Sequence, residues 1–323
     1  MTKPKVLVTR RWPQSVEERM AEVFDLDLNM ADKPLSQADL RDAMGRYDAI
    51  LPTVTDRLPS VVFDAPSPRT RIVANYGVGF AHIDTDAAKT RGITVTNTPD
   101  VLSECTADIA MTLMLMVARR AGEGERELRD GKWSGWRPTH MIGTRVSGAT
   151  LGIIGFGRIG QAMAQRAHHG FGMKIVVQNR SAVPAEILAR YNAVQVPTIE
   201  DLLPECDFVS LHCPGGAANR HLINSRRLDL MRPGAFLINT ARGEVVDEYA
   251  LAQALWFGTI GGAGLDVFER EPFVPQELMD ADNLVLLPHL GSASRETREA
   301  MGFRVLDNLT DFFGGRAPRD RVA

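Results

Sequence analysis

Three side chains in the second half of the chain are suited to acid–base chemistry and anion binding. Arg242, Glu271 and His289 each follow a short apolar run that is typical of a buried strand. In open α/β sheets, ligands bind beyond the carboxyl ends of the strands, so we expect these side chains to converge there. An arginine offers a planar fork of donors to a carboxylate and a carbonyl. A histidine beside a carboxylate stays protonated and can donate a proton to a developing alkoxide. The set predicts hydride chemistry on a 2-oxo acid.

A glycine-rich segment, Gly155-Phe-Gly157-Arg-Ile-Gly160, joins an apolar strand to a helical pattern. The first glycine permits the tight turn, and the second lets the backbone approach a pyrophosphate. The third allows close helix packing, with the phosphates at the helix N-terminus. In this strand–turn–helix context the segment predicts a dinucleotide cofactor. The alternative is a structural tight turn.

The end of the next strand bears on the choice of cofactor. It reads Gln178-Asn179-Arg180-Ser181 without a carboxylate, and the nearest acid downstream is Glu186. An Asp or Glu at this point would bind the ribose diol of NAD. In its absence a 2′-phosphate is not repelled, and Arg180 and Ser181 can donate hydrogen bonds to it. We predict that NADP(H) is preferred and that NAD(H) is a second cofactor; the alternative is an arginine in a solvated loop.

Short β-type runs alternate with helical patterns through most of the chain, which predicts βαβ units and parallel sheets. The strands expected in the first half are Lys5–Val8, Asp48–Leu51, Ile72–Asn75 and Thr94–Thr96. Six more are expected in the second half, in a doubly wound nucleotide-binding sheet. They are Gly152–Ile154, Lys174–Gln178, Phe208–His212, Phe236–Asn239, Gly262–Asp266 and Leu284–Leu287.

Two long helices are expected, over Ser103–Arg120 and Arg295–Phe313, the second long enough to return to the first domain. The stretch between the first of these and the glycine loop, Glu123–Gly148, is polar and carries Trp133 and Trp136.

Four segments occur together in the order and approximate spacing of a known family. They are the Gly155–Gly160 loop, Asn239-Thr-Ala-Arg-Gly, Gly264-Leu-Asp-Val-Phe and Pro288-His-Leu-Gly-Ser. In them the chain resembles, over nearly its whole length, the D-isomer-specific 2-hydroxyacid dehydrogenases. The resemblance implies that Arg242, Glu271 and His289 are catalytic. It also implies that backbone at Val78 and Gly79 receives the substrate carboxylate, with Arg242 and His289 as the other substrate contacts.

The same resemblance implies the cofactor site and the domain plan. We expect a Rossmann cofactor domain, residues 100–292, inserted into a flavodoxin-like substrate domain of residues 1–99 and 293–323. The active site is expected in the cleft between them. Asp266 is expected on the nicotinamide side. The implied cofactor-binding residues are Thr106, Gly155, Gly157, Arg158, Ile159, Gly160, Asn179, Arg180, Ser181, Cys213, Pro214, Thr240, Ala241, Arg242, Asp266, His289 and Gly291.

Within the family the chain is most similar to the glyoxylate/hydroxypyruvate reductases. The segments that carry this likeness are Thr98–Ala107, Asn179-Arg-Ser181 and Trp133-Ser-Gly-Trp136. Trp136 resembles a tryptophan that reaches into the partner's site of a homodimer, which we therefore expect; the alternative is a surface aromatic that packs locally. Two other functions stay open. One is reduction of another 2-oxo acid, of phenylpyruvate or phosphoglycerate type, and the other is a non-enzymatic, NAD(H)-sensing corepressor of the same fold.

Composition argues against several other classes of protein. The net charge is −3, so no basic field exists to hold a nucleic acid or an anionic membrane. The longest apolar run, Ile109–Ala118, is ten residues, too short to span a bilayer. The three cysteines form no Cys-x-x-Cys, and the remaining histidines lack ligand spacing, so neither disulfides nor a metal site are expected. We expect a cytoplasmic protein whose ligands are small molecules.

Overall fold

The computed structural model describes residues 3–323, which form two compact units. The first unit contains the chain up to Leu102 together with Ala293–Ala323, and the second contains Ser103–Ser292. Each unit holds one sheet in which every paired strand runs parallel to its neighbour. The predicted fold class, two parallel-sheet α/β domains, is confirmed.

Strands and helices alternate along the chain. The elements before residue 103 are β1 (Lys5–Val8), α1 (Gln14–Val23), β2 (Asp25–Leu28), α2 (Gln37–Arg46), β3 (Ala49–Leu51), α3 (Ser60–Phe63), β4 (Ile72–Ala74), α4 (Thr85–Thr90) and β5 (Thr94–Thr96). Those that follow are α5 (Ser103–Ala118), α6 (Ala121–Arg129), β6 (Thr150–Ile154), α7 (Arg158–Gln165), β7 (Lys174–Gln178), α8 (Ala185–Arg190), β8 (Val194–Gln195), α9 (Ile199–Leu202), β9 (Phe208–Leu211), α10 (Ser225–Leu228), β10 (Phe236–Asn239), α11 (Glu248–Trp256), β11 (Gly262–Leu265), α12 (Gln276–Met279), β12 (Leu284–Leu286) and α13 (Arg295–Phe313).

The first sheet has the strand order β2-β1-β3-β4-β5, which is the flavodoxin-like order. The sequence predicted four of these strands and missed β2. This strand lies at the edge of the sheet, and its alternating Asp-Leu-Asp-Leu sequence leaves both aspartates exposed. Such a short and half-polar run carries little of the apolar signal that identifies a buried parallel strand.

The second sheet has the order β12-β11-β10-β9-β6-β7-β8, which is the Rossmann order with one strand added at the β12 edge. It contains seven strands, so the prediction of six was wrong. The missed strand, β8, is a two-residue edge strand that pairs only with β7. A helix, α6, occupies part of the stretch that was interpreted only as polar, and the preceding helix ends at Ala118 rather than Arg120.

Both faces of the second sheet are buried. Neighbouring residues of a strand contribute to different apolar clusters: Leu237 lies in one and Ile238 in the other, and all four residues of β10 are buried. This explains the continuous apolar runs of the sequence, because a strand covered on both faces does not alternate. Among residues 3–323, no helix combines the length and the apolar character needed to cross a membrane.

In the first unit the C-terminal helix packs against α1 and β4. Its contact with α1 is made at Gly302, which is buried: a Cβ added there would lie 2.5 Å from Cγ1 of Val16. Ser294 begins the helix by accepting a hydrogen bond from the backbone N–H of Thr297. The helix is therefore fixed both by its N-cap and by a glycine that permits close approach.

We expect Gly302→Ala to lower the free energy of unfolding by about 1 kcal/mol. Alanine gains up to about 1 kcal/mol of helix propensity, but overpacking against Val16 costs about 1–3 kcal/mol. Urea denaturation measures the change. In a Val16→Ala background the same substitution should be neutral or stabilising, because the methyl groups that it meets are gone. Equal effects in both backgrounds would contradict this packing account.

Candidate active site

The glycine loop lies between β6 and α7, next to the point where the strand order reverses. Gly155 has φ +92°, and a Cβ on it would lie 2.7 Å from the backbone nitrogen of Cys213. A Cβ on Gly160 would lie 2.3 Å from the carbonyl oxygen of Gly155. The space beside Gly157 is open, and this residue precedes α7 without a side-chain cap. The free helix N-terminus and the open backbone fit a pyrophosphate group.

Side-chain amides hold the loop after β7 in a fixed shape. The Oδ1 atom of Asn179 accepts a hydrogen bond from the backbone N–H of Phe156 at 3.1 Å, and its Nδ2 donates to the carbonyl of Ser181 at 3.0 Å. Gln195 of β8 accepts from the backbone N–H of Val183 at 2.8 Å and donates to the same Ser181 carbonyl at 3.1 Å. The loop is thereby tied both to the glycine loop and to the edge strand.

Arg180 is exposed on this loop. Within residues 3–323 no hydrogen bond or ion pair engages its guanidinium group. The sequence around it carries no acid before Glu186. The loop therefore offers a free cation at the strand end where dinucleotide-binding domains contact the adenosine ribose.

His289 and Glu271 form the predicted pair. The Nδ1 atom of His289 lies 2.8 Å from Oε2 of Glu271, whose Oε1 accepts a hydrogen bond from the backbone N–H of Phe268 at 3.1 Å. Burial by itself raises the pKa of Glu271. The hydrogen bond and charge of His289, the backbone hydrogen bond from Phe268 and the charge of Arg242 together outweigh burial, so the pKa lies below its usual value. The carboxylate therefore stays charged at neutral pH and can accept a hydrogen bond from Nδ1 of the ring.

The turn after β10 presents Arg242. Asn239 shapes it, accepting from the N–H of Ala241 at 3.0 Å and donating to the carbonyl of Arg242 at 2.9 Å. Burial lowers the pKa of Arg242, and the charges of Glu271 and Glu244 oppose that effect. The charge of Arg242 in turn lowers the pKa of Glu271.

A glycine brings the turn after β10 close to the Phe268–Glu271 loop. A Cβ on Gly243 would lie 1.9 Å from the carbonyl carbon of Phe268, and this position is buried. Only a residue without a side chain permits this approach. The glycine of the Asn239-Thr-Ala-Arg-Gly motif therefore has a packing role that places the arginine next to the glutamate loop.

Asp266 holds the loop that carries His289. Its Oδ1 accepts from the N–H of Leu290 at 2.6 Å and its Oδ2 from the N–H of Gly291 at 2.7 Å. Its backbone carbonyl accepts from the N–H of His289 at 2.9 Å. Burial raises the pKa of Asp266, and the two amide hydrogen bonds oppose that rise. The carboxylate was expected as a nicotinamide contact; in the structure both of its oxygens bind the histidine loop.

The other predicted cofactor residues of the second unit follow β9 and β10 or face the histidine loop. Cys213 and Pro214 come directly after His212, the residue that follows β9, and Thr106 donates from Oγ1 to the carbonyl of Gly291 at 2.9 Å. The Oγ1 atom of Thr240 is buried and has no partner among residues 3–323, which suits a residue that faces a ligand. Burial lowers the pKa of His212 to about 4, so this histidine is neutral at pH 7 and does not add a second acid.

Val78 and Gly79 lie in the first unit, in the loop after β4. Sequence reasoning missed three polar side chains that organise loops: Gln195 for the loop after β7, Asn239 for the turn after β10 and Asn75 for the loop after β4. Asn239 lies inside a recognised motif, but nothing in its spacing indicated a turn-shaping role. Among residues 3–323, no three or more His, Cys, Asp or Glu side chains are grouped so as to hold a metal ion.

Comparison with known proteins decides the family. The sequence profile of the D-isomer specific 2-hydroxyacid dehydrogenase NAD binding domain matches residues 111–291. A glyoxylate reductase from Thermococcus onnurineus (strain NA1) is 44% identical over 320 residues, which cover 98% of this chain and 95% of that protein. The chain belongs to the D-isomer specific 2-hydroxyacid dehydrogenase family. The resemblance drawn from the sequence is confirmed.

Other members of this family give the same result. A glyoxylate reductase from Korarchaeum cryptofilum (strain OPF8) is 45% identical over 322 residues, or 99% of this chain and 96% of that protein. The crystal structure of an NADPH-dependent glyoxylate/hydroxypyruvate reductase from Sinorhizobium meliloti, in complex with NADP and malonate, matches with a TM-score of 0.88. It is 38% identical and covers 100% of this chain and 97% of that one. The likeness to the glyoxylate reductase branch is thus confirmed.

Proposed function

We propose that this dehydrogenase uses NADPH to reduce glyoxylate or hydroxypyruvate to the 2-hydroxy acid, with D configuration where the product is chiral. The observation that carries the proposal is the 2.8 Å pair of His289 and Glu271, coupled to Arg242. The names of its relatives support the choice of substrate. We assign cofactor binding to residues 100–292, and substrate binding to residues 1–99 and 293–323.

The acid–base pair handles the proton. His289 donates its Nδ1–H to Glu271, so that Nε2–H is the group that donates to the substrate carbonyl oxygen as it becomes an alkoxide. Arg242 binds the substrate carboxylate and carbonyl through its planar fork, and the backbone N–H groups of Val78 and Gly79 bind the carboxylate as well. These contacts orient the carbonyl carbon for reduction and stabilise charge on its oxygen.

The nicotinamide cofactor supplies the hydride when it is bound. The pyrophosphate would be held by the backbone at Gly155–Gly160 and at the N-terminus of α7. The hydroxyl of Thr240, buried without a partner, and the segment at Cys213 and Pro214 would line the remainder of the cofactor site. The other implied contacts are Thr106, Arg158, Ile159, Ala241, Asp266 and Gly291.

Preference for NADP(H) over NAD(H) is the second part of the proposal. Arg180 is free to pair with a 2′-phosphate, and the hydroxyl of Ser181 can donate to it. Asn179 and Gln195 keep this loop in place. NAD(H) can still bind, because the pyrophosphate and nicotinamide contacts do not depend on the 2′-phosphate.

We also propose a cytoplasmic homodimer. Trp133 and Trp136 are 51% and 82% exposed in the isolated chain, which is unusual for large aromatic residues and suits contact with a partner subunit. The three cysteines are free thiols, as is usual in a reducing compartment.

Steady-state kinetics with glyoxylate, hydroxypyruvate, pyruvate and phenylpyruvate, each with NADPH and NADH, tests the function. We expect the first two substrates to give the highest kcat/KM. His289→Ala should lose about 10²- to 10⁴-fold in turnover, the usual contribution of a positioned proton donor. Cofactor binding without turnover of any 2-oxo acid would favour a nucleotide-sensing protein instead, and near wild-type turnover by His289→Ala would exclude the mechanism.

Glu271→Gln should shift the pH dependence of reduction. Reduction needs the protonated imidazole, and the carboxylate of Glu271, whose pKa is lowered, supplies the negative charge that favours it. Without that charge the ring loses its proton more readily, so the alkaline decline of kcat/KM should begin at lower pH while activity in acid partly remains. Glu277→Gln, an exposed glutamate of the same unit, is the control. An alkaline limb at the wild-type pH would contradict the role of Glu271.

Arg180→Ala should raise KM for NADPH about tenfold to a hundredfold and leave KM for NADH nearly unchanged. A hydrogen bond to a charged group is worth about 1.5–3 kcal/mol, and NADH lacks the 2′-phosphate that would make it. Arg190→Ala, at the end of α8 and also exposed, is the matched control. Equal losses with both cofactors would mean that Arg180 has a structural role.

A further inference from the structure

In the loop after β4, three carbonyl groups, those of Gly77, Val78 and Gly79, accept hydrogen bonds from buried side-chain amides. Asn75 is fully buried and donates from Nδ2 to the carbonyls of Gly77 at 2.9 Å and Gly79 at 3.0 Å. Asn97, 9% exposed, donates to the intervening carbonyl of Val78 at 2.8 Å. Two side chains, 22 positions apart, thus bind three consecutive carbonyl oxygens.

The amide of Asn75 is oriented by a histidine. Nε2 of His82 lies 3.0 Å from Oδ1 of Asn75. Since an amide oxygen only accepts, the ring nitrogen is the donor, and this contact leaves Nδ2 of Asn75 to face the loop. The backbone N–H of Thr98 donates to the Gly77 carbonyl as well, at 3.1 Å.

The other side of this loop carries unused donors. Within residues 3–323 the N–H groups of Gly77, Val78 and Gly79 donate to no acceptor. The residues themselves are only half-buried. Successive N–H groups that face outward form an anion-binding concavity, and its strength depends on their being held in that orientation beforehand.

We propose that Asn75 and Asn97, with His82 behind Asn75, form a carbonyl clamp that orients the Gly77–Gly79 amides toward the carboxylate of the 2-oxo acid. They are positioning residues for carboxylate recognition. The inference rests on the proposed function in one respect, the assignment of this loop to the substrate carboxylate. The clamp determines how strongly the enzyme prefers a carboxylate over an uncharged aldehyde.

Asn75→Leu tests the clamp, because it keeps the number and branching of the side-chain heavy atoms, removes both donors and adds no charge. We expect KM for glyoxylate to rise about tenfold to a hundredfold, the value of a hydrogen bond to a charged group, with kcat changed little. Reduction of glycolaldehyde, which lacks the carboxylate, should keep its kcat/KM. The dissociation constant for NADPH, measured by fluorescence, should also stay at the wild-type value.

Asn29→Leu is the matched control. Asn29 lies in the same unit and likewise binds two backbone carbonyls, those of Thr9 and Lys33, but in the loop after β2. The Asn29→Leu variant should keep the wild-type ratio of kcat/KM for glyoxylate to kcat/KM for glycolaldehyde. An equal loss on both substrates in Asn75→Leu, or the same loss of ratio in Asn29→Leu, would overturn the clamp.

Two further measurements keep the result decisive. If circular dichroism shows that Asn75→Leu does not fold, Asn97→Leu removes only the Val78 contact and should give a smaller change in the same direction. Calorimetry with oxalate measures how strongly the Gly77–Gly79 loop binds a carboxylate without turnover. The dissociation constant for oxalate should rise in each clamp variant. A wild-type protein that reduces no 2-oxo acid refutes the proposed function, whereas unchanged oxalate binding and an unchanged KM in both variants refute the clamp alone.

Discussion

Asp266 is the constraint on which the contact between His289 and Glu271 depends. His289 has φ +56°, a left-handed conformation that costs a non-glycine residue of order 1–3 kcal/mol and persists only where its surroundings hold it. Asp266 does so from both sides, with its backbone carbonyl on the N–H of His289 and its two oxygens on the N–H groups of Leu290 and Gly291. The ring can then meet Glu271 without a search through loop conformations.

The loops after β10, β11 and β12 are linked in series. The backbone N–H of Asp266 donates to the carbonyl of Asn239, the residue whose side chain shapes the turn before Arg242. The N–H of Phe268 donates to Glu271, and Gly243 lets the arginine turn touch the same segment. The three side chains to which we assign catalysis are therefore positioned by loops that share one hydrogen-bond network, which is the rigid support that the proposed acid–base chemistry requires.

The sequence predicted the contact of His289 with Glu271 and the strand–turn–helix setting of the glycine loop, because these segments follow apolar runs and their motif spacing is visible. It missed β2 and β8, two edge strands with weak apolar patterns, and it placed the ends of several strands one residue too late, as at Asp266 and His212. The supporting roles of the Asn75, Asn97 and Gln195 side-chain amides could not be predicted from the sequence. Each acts on backbone groups whose location depends on the tertiary fold, and an isolated asparagine or glutamine carries no pattern.

The loop after β7 has a consequence for how this enzyme family diversifies. Its backbone is fixed by Asn179 and Gln195, whereas Arg180 is exposed and has no hydrogen bond or ion pair within residues 3–323. Residues of this kind tolerate exchange, since a substitution there disturbs neither the core nor a hydrogen-bond network. Under the roles proposed for Arg180 and His289, the electron donor can therefore change through one or two exposed positions while the groups that transfer the proton stay the same. In this architecture the choice between NADPH and NADH and the proposed chemistry of reduction depend on different residues, so one can change without the other.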